Sequence, residues 1–326
     1  MKTIGAVLAL AAAALGAMRH NGSPPKPSPD RIAIDTTLSR VAPTQVAMRN
    51  VNFYVTPNAA LRIRNLRGEM RSLQGGTVVF DDKNSFAIRI SSAEVGLNGS
   101  DLSNLLNDVV FAYPGAPLKH LKVHTSGTQL VQSGVMHKVV DLPFEISSEV
   151  SATPDGLIRL HPVKTRILGI GVEGLMRAFG LSLQKILDLR KAKGVSVRGN
   201  DLYMDPVKLL PAPAFEGRLT RVRVDGDQLV QTFNSGGSAT NLRLPDSRAP
   251  AYMFYKGGTL RFGKLLMLDA EMQIVSLHPT GSFGFDLDRY MRQLVAGYSK
   301  TLPDQGLEVF MASVETLGQG KLAKVP

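Results

Sequence analysis

The sequence predicts an α+β protein in which apolar-faced helices lie on a mostly antiparallel sheet. Two observations point there. Short stretches alternate apolar and polar residues with period two, as strands with one wet face do, and three segments switch to the i, i+3, i+4 spacing of amphipathic helices. Continuous Val/Ile/Leu runs, the mark of a buried parallel sheet, are missing from the strand stretches.

The strand stretches come in order. Val51–Val55, Leu61–Arg64, Thr77–Phe80 and Phe86–Ile90 alternate cleanly, followed by Leu118–Thr125, Val195–Arg198, Arg218–Val224, Thr259–Gly263 and Glu271–Leu277. Gly-Gly, Asp-Gly and Asp-Asp pairs separate them, which favours hairpins and meanders. The first helix is capped by Ser100 or Asp101, carries Leu102, Leu105, Leu106, Val109 and Val110 on one side, and ends before Pro114. The second and longest is lined by Leu175, Met176, Phe179, Leu183, Ile186, Leu187 and Leu189 and stops at Arg190, Lys191, Lys193 and Gly194. The third is capped by Asp286 or Asp288 and bears Leu287, Tyr290, Met291, Leu294 and Val295. Gly127-Thr-Gln-Leu-Val-Gln132 and Gly226-Asp-Gln-Leu-Val-Gln231 repeat one pattern, which two similar hairpins or a duplication would both produce.

Four regions follow. Residues 1–18 form a signal peptide or short anchor, because Lys2 precedes an apolar run from Ile4 to Met18 with small residues near Ala14–Ala17. Residues 19–45 are a Pro-rich linker, residues 46–233 an α+β domain, and residues 234–326 a C-terminal α+β part that completes or covers the sheet. The expected location is outside the cytoplasm, periplasmic or envelope-associated, with the N-terminus cleaved or retained as an anchor.

Composition narrows the function. Among 326 residues, 44% hydrophobic and 20% charged excludes both a disordered chain and a polytopic membrane protein. Zero cysteines exclude disulfide scaffolds, thiolate metal sites and cysteine nucleophiles. A net charge of +11 favours anionic partners, and export turns that from nucleic acid toward an anionic membrane surface.

Motifs for catalysis mostly fail. Gly169-Ile-Gly-Val-Glu-Gly174 has the form of a dinucleotide fingerprint, but the stretch before it carries Lys164 and Arg166 where a buried strand is needed. His120 and His124 share a strand face, but Lys122 between them opposes a metal. His137, or Asp201 beside a second acid such as Asp205, is the remaining seed of a hydrolase reading. No nucleophile elbow or zinc helix motif is present, and no cofactor or metal is expected.

The central stretch carries a resemblance: Asn107-Asp-Val-Val-Phe-Ala-Tyr-Pro-Gly-Ala-Pro-Leu118, Gly134-Val-Met-His-Lys138, Pro143-Phe-Glu145, Gly199-Asn-Asp-Leu-Tyr203 and Arg218-Leu-Thr-Arg-Val-Arg-Val-Asp-Gly-Asp227. Over residues 85–235 it resembles bacterial exported phospholipid-binding proteins of the lipomannan-elongation type, and more distantly the tubular lipid-binding (TULIP) superfamily. The resemblance implies a strongly curved, mostly antiparallel sheet wrapped around one long and two shorter amphipathic helices, with an apolar groove for lipid tails and no catalytic residues.

The expectation is therefore a non-enzymatic exported protein that holds phospholipid or another acyl lipid for envelope transport or maintenance. Leu105, Leu106, Val109, Leu175, Met176, Phe179, Leu183, Ile186 and Leu187 would line the groove. Arg190, Lys191, Arg221 and Arg223 would meet headgroup phosphate at its rim. An envelope scaffold and an envelope hydrolase are the alternatives.

Overall fold

The computed structural model describes residues 42–137, 141–167, 188–236, 242–278, 281–304 and 306–317. Of these, 57% lie in strands and 9% in helical turns, with a sheet curled into a half-barrel. The α+β expectation is therefore corrected: the described chain is mostly β, and the set of one long and two shorter helices is not there.

The three helical expectations meet different outcomes. The first segment forms α1 (Gly99–Leu105), continued by a π turn over Leu106–Val110. Its cap is Asn98, not Ser100 or Asp101. Of the second, residues 175–187 lie outside the described residues, and its described end, 188–194, is loop and turn. The third shrinks to α2 (Tyr290–Val295), because Asp286 is drawn into a strand and Arg289 takes the cap position without a side-chain bond. The N-terminal apolar run and residues 169–174 are also outside the described residues. Among the described residues no helix is long and apolar enough to cross a membrane.

The large sheet is built on β1 (Thr44–Thr56), β2 (Ala59–Ser72) and β4 (Phe86–Asn98), which pair antiparallel. Beyond β4 come β13 (Gln228–Asn234) and β12 (Leu219–Asp225); beyond β1 come β14 (Tyr252–Lys256), β17 (Glu271–Ser276), β20 (Leu307–Met311) and β19 (Tyr298–Thr301). Two short strands add in parallel, β11 (Ala214–Glu216) on β4 and β18 (Phe283–Asp286) on β1. Five of the strands after residue 234, β14, β17, β18, β19 and β20, thus belong to the same sheet. Alternation decides the register. Val51, Phe53, Leu61, Ile63, Val95 and Leu97 are buried on one face, while Asn52 and Arg62 between them reach water. Bulges at Ile63/Asn65 and Arg67/Gly68 shift the register between β2 and β4, and such extra residues bend a sheet.

The second sheet runs β5 (Leu118–Ser126), β6 (Gln129–His137), β7 (Asp141–Ala152), β8 (Ile158–Ile167), β10 (Asp201–Met204) and β9 (Val195–Arg198), antiparallel throughout. The repeated Gly-x-Gln-Leu-Val-Gln patterns open β6 and β13. Gly127 and Gly226 hold φ of 60° and 62°, a left-handed turn conformation that a Cβ disfavours. The two turns meet, since Thr125 Oγ1 donates to the Gly226 carbonyl at 2.9 Å. A small third sheet holds β3 (Val78–Val79), β15 (Thr259–Phe262) and β16 (Leu265–Leu268).

On the wet face of the large sheet, Arg64 donates to Glu94 at 2.8 Å and to Asp225 at 3.1 Å, and Arg223 donates to Glu94 at 3.0 Å. The hydrogen bond from Arg223, joined by that from Arg64, holds the Glu94 carboxyl below the usual carboxylate range against the opposing pull of burial. A depressed carboxylate adds stability above its unfolded pKa, and that stability is lost as pH falls through the folded value. Urea unfolding from pH 7 to pH 3 should therefore show a flatter acid limb for Glu94→Gln than for the parent chain. Parallel limbs would remove this network from the account of acid stability.

Candidate functional site

The site begins where β4 turns into α1. Asn98 Oδ1 accepts from the Asp101 N–H at 2.8 Å and Asp101 returns the bond to the Asn98 N–H at 3.4 Å, a capping box. The same Asp101 carboxylate accepts from the Ala60 N–H and from Arg62 Nε, each at 3.1 Å, so the cap also ties the helix to β2. Gly99 makes the approach possible, because a Cβ there would lie 2.2 Å from the Val123 carbonyl oxygen.

The polar side of α1 then covers the free edge of β5. Ser103 Oγ accepts from the Val123 N–H at 2.9 Å, and Asn107 bonds both the N–H and the carbonyl of Leu121, at 2.9 and 2.7 Å. An exposed strand edge is thus satisfied by side chains of a helix. The apolar side of the helix, Leu102, Leu105, Leu106 and Val110, faces the inner face of the second sheet.

Between them lies a cavity of about 120 Å³. Its walls are Leu121 and Val123 of β5, Leu130 and Met136 of β6, Phe144 and Ile146 of β7, Leu160 and Ile167 of β8, Val197 of β9 and Leu202 of β10, with α1 opposite. The lining grades from buried at Leu121, Leu130 and Leu160 to half-buried at Phe144, Ile146 and Ile167. A smaller cavity of about 40 Å³ shares Leu102, Leu105, Met204 and Leu209 and reaches Leu61, Ile63 and Leu97 of the large sheet. Together they form an apolar trough. Gln132, Ser148, Thr165 and Gln231 are the polar side chains among its described lining residues, and Gln132 Nε2 is buried without a hydrogen-bond partner among the described residues.

The sequence-predicted residues divide. Leu105 and Leu106 line the trough, whereas Val109 packs half-buried against the core without reaching it. Leu175, Met176, Phe179, Leu183, Ile186 and Leu187 lie outside the described residues. Arg190, in a turn, pairs with Asp188 at 2.7 Å, and Lys191 beside it is exposed. Arg221 and Arg223 stand on β12 of the large sheet, where Arg221 is exposed and Arg223 is engaged with Glu94 and Asp225. The walls supplied by β6, β7 and β8 escaped the sequence reading. Their signal was the alternation Phe144, Ile146, Ser148, Val150, interrupted for the eye by Pro143.

The histidines stand elsewhere. His137 Nδ1 meets Asp141 Oδ1 at 2.6 Å, and His161 Nδ1 meets Asp201 Oδ1 at 2.7 Å, while Arg159 Nε donates to Asp201 at 2.7 Å. Burial pushes the Asp201 carboxyl up, but the bonds from His161 and Arg159 outweigh it and hold it below its ordinary value. These residues alternate with trough-lining Met136, Leu160 and Leu202, so both pairs point to the opposite face of the sheet. Among the described residues no three acidic or histidine side chains are placed to hold a metal.

The fold and cavity define a mostly β protein with an apolar internal trough. Comparison with family models, curated proteins and solved structures finds no match to the chain.

Proposed function

We propose that the chain is a lipid-binding protein that holds an acyl chain in the trough between α1 and the second sheet, without chemistry. The observation that supports it is the lining itself, which is apolar apart from Gln132, Ser148, Thr165 and Gln231 and includes one buried amide donor with no partner among the described residues. An unpaired buried donor is costly, and the ester or carboxyl oxygen of a lipid would satisfy Gln132 Nε2 where hydrocarbon fills the rest. Each methylene taken from water contributes about 0.8 kcal/mol, so even a partly enclosed tail is held firmly. The resemblance of residues 85–235 to exported phospholipid-binding proteins supports the same reading. A hydrolase would need its histidine and acid to face the bound chain, and the His137–Asp141 and His161–Asp201 pairs face away.

Native mass spectrometry of protein purified from membranes tests this. Mass increments of acyl-lipid size are expected, lost on organic extraction and regained from phospholipid vesicles. A bare chain mass together with no uptake from vesicles would overturn it.

A further inference from the structure

The polar side chains on the second-sheet wall of the trough are ordered by strand pairing. Gln132 of β6 stands opposite Ile146 of β7, and Ile146 stands opposite Thr165 of β8, so Gln132 and Thr165 flank one isoleucine on a single rung of the sheet. Two residues along β7 on the same face, about 7 Å away, Ser148 lies between Leu130 and Pro162. Two residues the other way, Phe144 lies between Gly134 and Ile167. The rung of Gln132 therefore has apolar wall on both sides. Leu130 and Leu160 mark the buried direction, and Phe144 and Ile167 the half-buried one.

Gln132 Nε2 is buried on that rung with no hydrogen-bond partner among the described residues. A ligand acceptor placed there removes the desolvation cost of the bare donor. Charge restricts which acceptor fits. Among the described residues, neither cavity is lined by a Lys, Arg, His, Asp or Glu. A carboxylate or phosphate on the rung would exchange its water for an uncharged amide and a hydroxyl, with no cation beside it, which costs more than those bonds return. An ether oxygen avoids the charge but is a poor acceptor. An ester carbonyl is both uncharged and a good acceptor, and it carries carbon on either side to match the apolar walls above and below the rung.

We propose, on the footing that the trough holds an acyl chain, that its ligands are ester-linked acyl lipids whose carbonyl accepts from Gln132 Nε2. Ionised fatty acids and alkyl ethers are discriminated against. The tail runs toward Leu130 and Leu160. The alcohol side of the ester passes Phe144 and Ile167, so a charged headgroup stays beyond the apolar walls.

Three ligands with a ten-carbon chain separate the possibilities: 1-decanoylglycerol, its ether analogue 1-O-decylglycerol, and decanoate. In equilibrium dialysis against the lipid-free full chain at pH 8, the ester should bind about tenfold more tightly than the ether or the carboxylate. Gln132→Met keeps the length of the side chain and removes the donor, so it should bring the ester down to the affinity of the ether and leave the ether unchanged. It should also raise the urea midpoint of the lipid-free chain, because it removes a buried donor that has nothing to bond. Equal affinity for ester and ether, decanoate bound as tightly as the ester, or an ester preference that survives Gln132→Met would overturn the proposal while leaving an acyl chain in the trough. A lowered urea midpoint for Gln132→Met would overturn it too, since the amide would then be bonded in the empty protein. Binding of none of the three would overturn the lipid-binding reading itself, and the ester preference with it.

Discussion

Ile146→Asp is expected to abolish acyl-lipid uptake while leaving the protein folded. Ile146 lies on β7 directly across from Gln132 on one side and Thr165 on the other, in the half-buried part of the trough. Because the position is not sealed, the introduced carboxylate can stay hydrated in the empty protein, and the loss of stability should be about 1 kcal/mol, ordinary for a substitution of this kind. It can also accept from the unpartnered Gln132 amide. A hydrocarbon tail entering the trough would have to strip that carboxylate of water or force a proton onto it. Either costs several kcal/mol, so uptake should fall by about a hundredfold or more. Ile146→Leu, of equal volume, should retain uptake. The measurement is lipid transfer from vesicles, read beside a urea midpoint. An Ile146→Asp variant that unfolds like the parent and still takes up lipid would place the tail elsewhere.

That residue also marks where the sequence stopped being informative. Strands with one dry and one wet face declare themselves, and the alternations at Val51–Val55, Leu61–Arg64, Phe86–Ile90 and Arg218–Val224 fall within or against β1, β2, β4 and β12. The walls β7 and β8 hid because Pro143 and Pro162 interrupt them, and a proline inside a run ordinarily argues against a strand. The trough adds a second obstacle. The walls of its larger cavity are contributed by one face each of six strands and a helix, so only the pairing of those strands brings the residues together. Helical spacing misled in the opposite direction. Leu287, Tyr290, Met291 and Val295 obey it, yet the parallel pairing of β18 with β1 claims the residues up to Asp286 and leaves a helix of six residues. The run Leu265–Leu268 misleads by composition, since four successive apolar residues suggest burial and most of them are in water. Whether an apolar residue is covered depends on what packs above it, which no local pattern records.

Asp101→Ala should cost about 3 kcal/mol of stability, the largest loss expected from any polar side chain near the trough. The side chain is 8% exposed and accepts from three donors: the N–H groups of Ala60 and Asn98 and the Nε of Arg62. Arg62 is 32% exposed and can turn back to water, so its share of the loss is modest. The Ala60 N–H is held in a buried setting and cannot, which makes that bond the dearest of the three. Asp101→Asn separates the contributions. It keeps one acceptor oxygen for a backbone N–H but turns a second donor toward Arg62, so it should lose about half as much. Urea unfolding gives both numbers. Hydrogen exchange gives their location, because loss of the cap frees the start of α1 from β2, and the amides of Ala60, Leu102 and Leu105 should exchange sooner than those of β14 or β17. If Asp101→Ala unfolds within about 0.5 kcal/mol of the parent chain, the helix wall is instead held by Ser103 and Asn107 against β5. Lipid uptake should then survive the loss of the cap.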